Sequence, residues 1–171
     1  DRIAVTGTLS MGSVLTDDRK VRSIFDLFDL VTVNYGHSVP GDEWREVEGA
    51  YLDALVEITD GRPIMIQELM AHSAGPIQWW SEATPENTAT EERQREFFAW
   101  FFDRMRETEE LRVAFVFQMV DWSPAVANIY RDLLADADLA ELGEAFATVL
   151  ENLGLLTYPE GRAKPAYDEV L

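Results

Sequence analysis

The sequence predicts an α/β fold in which strands and helices alternate along the chain, and three observations carry that expectation. Short apolar runs rich in β-branched residues recur four times, each followed by a longer stretch with helical apolar spacing. The most apolar of these runs, Pro63-Ile64-Met65-Ile66, has no polar face, which suits a strand covered on both sides in a parallel sheet. That run ends abruptly at Gln67-Glu68, so an acid stands where the strand emerges. The carboxyl ends of parallel strands are where such folds assemble their chemistry.

Taken in order, Arg2 to Thr8 form the first expected strand, and the loop Ser10 to Ser13 follows. Thr16 or Asp17 then caps a helix with Val21, Ile24, Phe25 and Phe28 on one face. The run Leu30-Val31-Thr32-Val33-Asn34-Tyr35 is the second strand, and Gly36 to Gly41 a loop holding His37 and Pro40. Trp44, Val47, Tyr51, Leu55 and Ile58 make an amphipathic stripe for the next helix. Asp60-Gly61-Arg62 turns the chain into the Glu68 strand.

A polar loop from Ala71 to about Thr90 contains Trp79-Trp80, after which Phe97, Phe98, Phe101, Phe102 and Met105 mark a helix whose stripe is core. Leu111 to Met119 is the fourth strand, ending at Asp121-Trp122-Ser123-Pro124, with Asp121 expected to cap the strand-helix turn. The rest is helical from Val126 to Leu153, broken near Asp136 to Asp138, with Gly154 as C-cap and a tail to Leu171.

The chain has 171 residues, 47% of them apolar, which is enough for one domain with a sizeable core, and no internal boundary is evident. Its formal charge is −18, with 32 acids against 14 Lys and Arg, which argues against nucleic acid or anionic lipid as partner. The acids concentrate in helical stretches such as Glu91-Glu92 and Glu107 to Glu110, as a solvated outer surface does. The absence of cysteine removes disulfides, thiol catalysis and thiolate metal sites while leaving the compartment open. Two histidines without spaced carboxylates make a poor ligand set, so neither metal nor cofactor is expected.

Four strand-helix units imply parallel pairing through right-handed crossovers. A closed (β/α)8 TIM barrel needs eight such units and about 250 residues. The expected architecture is therefore half of a barrel over residues 1–171, with strands near 3–8, 30–35, 63–68 and 112–119. Alone it would expose two strand edges and one sheet face. The remaining half of the barrel, from another segment or another chain, is thus an expected partner.

The four expected strand ends gather Thr8 and Ser10, then Asn34, Tyr35 and His37, then Gln67, Glu68 and His72, then Gln118, Asp121 and Trp122. A carboxylate beside a phenol hydroxyl is kept ionised and oriented, as a nucleophile must be. An indole face offers a flat platform to a sugar ring, and Trp79 and Trp80 extend it. In these runs and their order, the sequence resembles clan A retaining glycoside hydrolases, here as strands five to eight of the barrel. Val31-Thr32-Val33-Asn34-Tyr35 matches strand six, Pro63-Ile64-Met65-Ile66-Gln67-Glu68 strand seven, and Phe115 through Trp122 strand eight. Gly161-Arg162-Ala163-Lys164-Pro165-Ala166 resembles the segment that closes many such barrels. Where that family often has Glu-x-Gly, this chain has Glu68-Leu69-Met70.

The resemblance implies hydrolysis of O-glycosidic bonds by double displacement. Glu68 is then the nucleophile, Tyr35 its hydrogen-bonding partner and Trp122 the floor of the sugar subsite. Asn34, His37, His72, Trp79 and Trp80 are the further candidates for carbohydrate contact. The acid/base glutamate would lie in the other half of the barrel. The resemblance also implies a cis peptide between Trp122 and Ser123 that turns the indole toward the sugar. Two alternatives use the same strands: a carbohydrate-binding barrel without catalysis, and a barrel enzyme for phosphorylated substrates. The second lacks the glycine-rich phosphate cradle in its last two loops.

Overall fold

The computed structural model describes residues 6–10, 23, 25–78, 81 and 84–171, with the backbone alone at 6–10. Most of the first expected helix, the start of the first strand, and Trp79 and Trp80 lie outside the described residues. The chain divides into two compact units, one of residues 1–36, 45–69 and 102–117, the other of residues 37–44, 70–101 and 118–171.

The first unit is built on a four-stranded sheet in the order β1-β2-β3-β4, with β1 at Thr6–Ser10, β2 at Leu30–Gly36, β3 at Ile64–Met70 and β4 at Leu111–Val116. Strands β1 and β2 are parallel, with Thr6 opposite Leu30 and Ser10 opposite Asn34. Strands β3 and β4 are also parallel, starting with Ile64 opposite Leu111. Between β2 and β3 the Val31 N–H donates to the Pro63 carbonyl at 3.0 Å, and three residues on Asn34 meets Glu68. Both chains ascend together there, so this pair is parallel too. The fourth strand stops three residues short of the expected Met119, and β1 runs two residues past the expected Thr8.

Helix α1, Trp44–Thr59, supplies Leu52, Leu55 and Ile58 to the core of this unit, with Val31, Val33, Ile64, Ile66 and Leu69 from the strands, all buried. Each such aliphatic side chain contributes roughly 1.5–3 kcal/mol when fully buried. The stripe on α1 is not wholly apolar, because Glu48 shares it and is also buried.

In β3 the buried side chains are Ile64, Ile66 and Leu69, so the two-residue alternation breaks after Ile66. The pairing with β4 shifts register in the same place, between Ile66 and Leu69. Regular alternation would turn residue 68 to the same side as Ile64 and Ile66, into the core. The irregularity gives that place to Leu69 and leaves Glu68 half-buried, beside Asn34. Re-aiming one side chain in this way is a common use of a bulge next to an active site.

In the second unit, the N-terminal part of α2 (Glu91–Glu107) buries Gln94, Phe97, Phe98 and Phe101. Thr90 caps it, its Oγ1 accepting from the Arg93 N–H at 3.0 Å, and Glu91 and Glu92 face the positive end of the helix dipole. Helices α3 (Pro124–Asp136) and α4 (Ala140–Leu150) pack through Ala127, Ala147 and Leu150. The break between them falls where expected, with Asp138 at φ 59°. A last turn of helix, α5, spans Tyr167–Val170.

Candidate active site

The first unit places Glu68 and Asn34 together on neighbouring strands. Asn34 Nδ2 donates to Glu68 Oε2 at 2.7 Å, a hydrogen bond to a carboxylate and so stronger than a neutral one. Asn34 Oδ1 is buried and finds no hydrogen-bond partner among the described residues.

Tyr35 faces away from Glu68. It shares the parity of Val31 and Val33, and its hydroxyl donates to Glu48 Oε2 on α1 at 2.5 Å, with both residues buried. Burial first, then the Glu48 charge and hydrogen bond, push the Tyr35 hydroxyl well above the ordinary tyrosine range, so it stays a donor. The expected Tyr35–Glu68 pairing is thus replaced by Asn34–Glu68 in front and Tyr35–Glu48 behind. The signal was present in the sequence: alternation along β2 assigns Tyr35 to the valine side and Asn34 to the other.

His37 and His72 belong to the second unit and are engaged within it. The His37 ring stacks on Phe97 and meets the edge of Trp44, each at 5.0 Å between centroids. Arg93 Nε donates to His37 Nε2 at 3.2 Å, and the same guanidinium lies 4.9 Å over the Trp44 ring while bonding the Gly41 carbonyl. His72 Nε2 donates to the Pro76 carbonyl at 2.8 Å. Burial lowers its pKa to about 4, against the opposing pull of that carbonyl and with a smaller push from His37.

A histidine held neutral in the folded state destabilises the fold once acid charges it in the unfolded chain. Stability is therefore complete above the unfolded value of about 6.5 and falls as pH drops from there toward 4, by on the order of 3 kcal/mol in total. Thermal melts from pH 7 to pH 4 should show this loss, and His72→Asn, which keeps a donor for Pro76, should flatten it within that window. An identical pH slope in the variant would remove His72 as its source.

Trp122 packs on the α3–α4 core of the second unit, with its ring 5.8 Å from Tyr130 and Phe146 in the same cluster. The Trp122–Ser123 peptide is trans; the cis bond among the described residues lies at Tyr158–Pro159. Ser123 is extended at φ −65°, ψ 148°, as the residue before a proline must be, and its carbonyl accepts from Val126 and Ala127 to start α3. The helix start and the aromatic cluster hold the indole without a strained bond, and the expected cis peptide is corrected accordingly.

A polar clasp that the sequence did not announce lies beside it. Lys164 Nζ is buried and donates to Asp121 Oδ1 at 2.7 Å, Ser73 Oγ at 2.9 Å and the Asn152 carbonyl at 3.3 Å. Asp121 Oδ1 also accepts the Gly154 N–H at 2.8 Å, so this aspartate ties the closing segment down, while Ser123 occupies the N-cap of α3. Burial holds the Lys164 ammonium below its ordinary range despite the Asp121 charge. Gly154 is required for close approach, since a Cβ there would come within 2.3 Å of the Asp121 nitrogen.

Among the described residues, no group of three or more His, Asp or Glu side chains could hold a metal ion, and no helix is long and apolar enough to cross a membrane. No protein-family model matches the chain, and no curated protein matches it in sequence. Solved structures do. An active-site mutant of the Rhizomucor miehei β-1,3-glucanosyltransferase, in complex with laminaritriose, aligns with TM-score 0.61 at 15% identity over 96% of this chain and 49% of that one. Another structure of that glycoside hydrolase family 17 enzyme gives 0.59 at 16% over the same shares. The Ruminococcus gnavus β-glucuronidase aligns with TM-score 0.51 at 17%, covering 70% of this chain and 20% of that one. The chain therefore spans about half the length of the glucanosyltransferase structures it matches. At such identities the likeness is one of fold alone: the chain is folded like about half of the glucanosyltransferase structures it matches.

Proposed function

We propose that this chain forms part of a retaining β-glycoside hydrolase of the clan A type, with Glu68 as its nucleophile. In this reading β1 to β4 are strands five to eight of the barrel. The observation that carries the proposal is the irregularity in β3, which takes Glu68 out of the core register and sets its carboxylate on Asn34. A solvated loop acid would need neither.

In the first step a Glu68 oxygen attacks the anomeric carbon as the bond to the leaving oxygen breaks, and an acid/base carboxyl protonates that oxygen. Water then displaces Glu68 from the anomeric carbon, giving up its proton to the same carboxyl. Retaining chemistry sets the two carboxyls about 5 Å apart, and the resemblance to clan A assigns the second one to the other half of the barrel. The sheet supports that completion. Val113 and Phe115 lie on one face of β4, an edge strand, with Phe117 just past its end, and they are 41%, 55% and 40% exposed. An uncovered apolar face on an open edge invites a covering partner. The β-linked substrate class follows the names of the structural neighbours, a β-1,3-glucanosyltransferase and a β-glucuronidase.

The test is covalent trapping in the completed barrel, using 2,4-dinitrophenyl 2-deoxy-2-fluoro-β-D-glucoside and the matching glucuronide. The good leaving group allows the first step, and the fluorine slows the second. Peptide mapping should find the fluorosugar on Glu68. A label on another carboxylate would assign the nucleophile elsewhere.

A further inference from the structure

We propose that Asn34 is the positioning residue for Glu68, an inference that rests on the glycosidase reading and adds to it the group that orients the nucleophile. Three features of Asn34 are unfavourable taken alone. Asparagine is a poor strand former, yet it sits inside β2 among Val31, Thr32, Val33 and Tyr35. Its Oδ1 is buried without a hydrogen-bond partner among the described residues, where an apolar side chain of similar size would leave nothing unpaired. It also stands next to a position whose strand is irregular. A sequence that breaks local rules in one spot marks a site where another demand prevails.

The compensating interaction is the 2.7 Å bond from Nδ2 to Glu68 Oε2. The orientation of the amide is fixed by chemistry, because a flipped amide would press its carbonyl oxygen against an ionised carboxylate. With Oε2 held by Asn34, Oε1 is the oxygen left to attack. The hydrogen bond confines the glutamate to one rotamer, whereas a half-buried glutamate without it would populate several. Behind the strand, the Tyr35–Glu48 bond anchors the next residue to α1, so the backbone that carries Asn34 is itself fixed.

Asn34→Asp keeps the shape but removes the donor; Asn34→Ala removes both. Two readouts separate positioning from mere packing. The first is the kcat–KM split in the completed barrel, with 2,4-dinitrophenyl β-D-glucoside and the matching β-D-glucuronide as probes. We expect kcat to fall about 10–100-fold with KM within about threefold, as when an interaction with a charged group is lost in the transition state. The second needs no activity: three-bond Cα–Cδ couplings in 13C-labelled protein report the Glu68 χ2 rotamer, which should be single in the wild type and averaged in both variants. Unchanged couplings, or an unchanged kcat in a well-folded variant, overturn the proposal. Wild-type protein that cleaves neither probe while its couplings still depend on Asn34 would overturn the glycosidase reading and uphold the positioning.

Discussion

Glu68→Gln is expected to lower glycoside cleavage by about four orders of magnitude or more while leaving the fold intact. The loss follows from the chemistry, since an amide oxygen cannot form and release the glycosyl ester on which double displacement depends. The fold survives because Glu68 is half-buried and its hydrogen bond from Asn34 is retained, a glutamine carbonyl accepting from Nδ2 as the carboxylate does. Unchanged thermal melting with cleavage abolished is the expected pair of results. Substantial turnover in the purified variant would remove Glu68 from the role.

The largest expected effect on stability lies in the second unit, at Lys164→Met. The ammonium uses each of its three donors, on Asp121, Ser73 and the Asn152 carbonyl, in a site closed to water. Removing it leaves the Asp121 carboxylate buried with the Gly154 N–H as its remaining donor. Breaking one side of a buried ion pair costs about 3–5 kcal/mol. For a chain of this size that lowers Tm by roughly 6–20 °C. The pair itself need not be strongly stabilising, and burial already pulls Lys164 toward its neutral form. Lys164→Met combined with Asp121→Asn should therefore recover part of the loss, because the stranded charge is gone while the acceptor for Gly154 remains. A single variant that melts within about 2 °C of wild type would show that water reaches the carboxylate and that the clasp is not closed.

What the sequence disclosed and what it concealed divide along physical lines. Continuous apolar runs announced β2 and β3 to within a residue or two; β2 buries Val31, Thr32 and Val33 in succession, whereas β3 buries Ile64 and Ile66 with Met65 less buried between them. The phenylalanine stripe was equally direct, and Phe97, Phe98 and Phe101 are all buried. Tyr35 was misdirected by proximity in sequence to the strand end, although alternation with Val31 and Val33 turns it toward α1. Glu48 carried a readable signal as well: an acid spaced at 44, 48, 52 and 55 sits in an apolar helical stripe and needs a buried partner. The irregularity at Gln67-Glu68 had none, since it arises from pairing with β4 rather than from residues 64–70 alone. The Lys164–Asp121 clasp was hidden for the same reason, with partners 43 residues apart. Trp122 was recognised as an aromatic at a strand end, but the helices that receive it are set by tertiary packing.

The role of Glu68 is tested most directly by Glu68→Ala in the completed barrel, supplied with azide and 2,4-dinitrophenyl β-D-glucoside or glucuronide. With the nucleophile truncated, azide fits the vacated space and attacks the anomeric carbon from the face Glu68 used, displacing dinitrophenolate in one step. The account predicts azide-dependent turnover and an α-glycosyl azide, with the configuration inverted relative to the substrate. A β-glycosyl azide would instead mean that a covalent intermediate still forms on another carboxylate and that Glu68 is not the nucleophile.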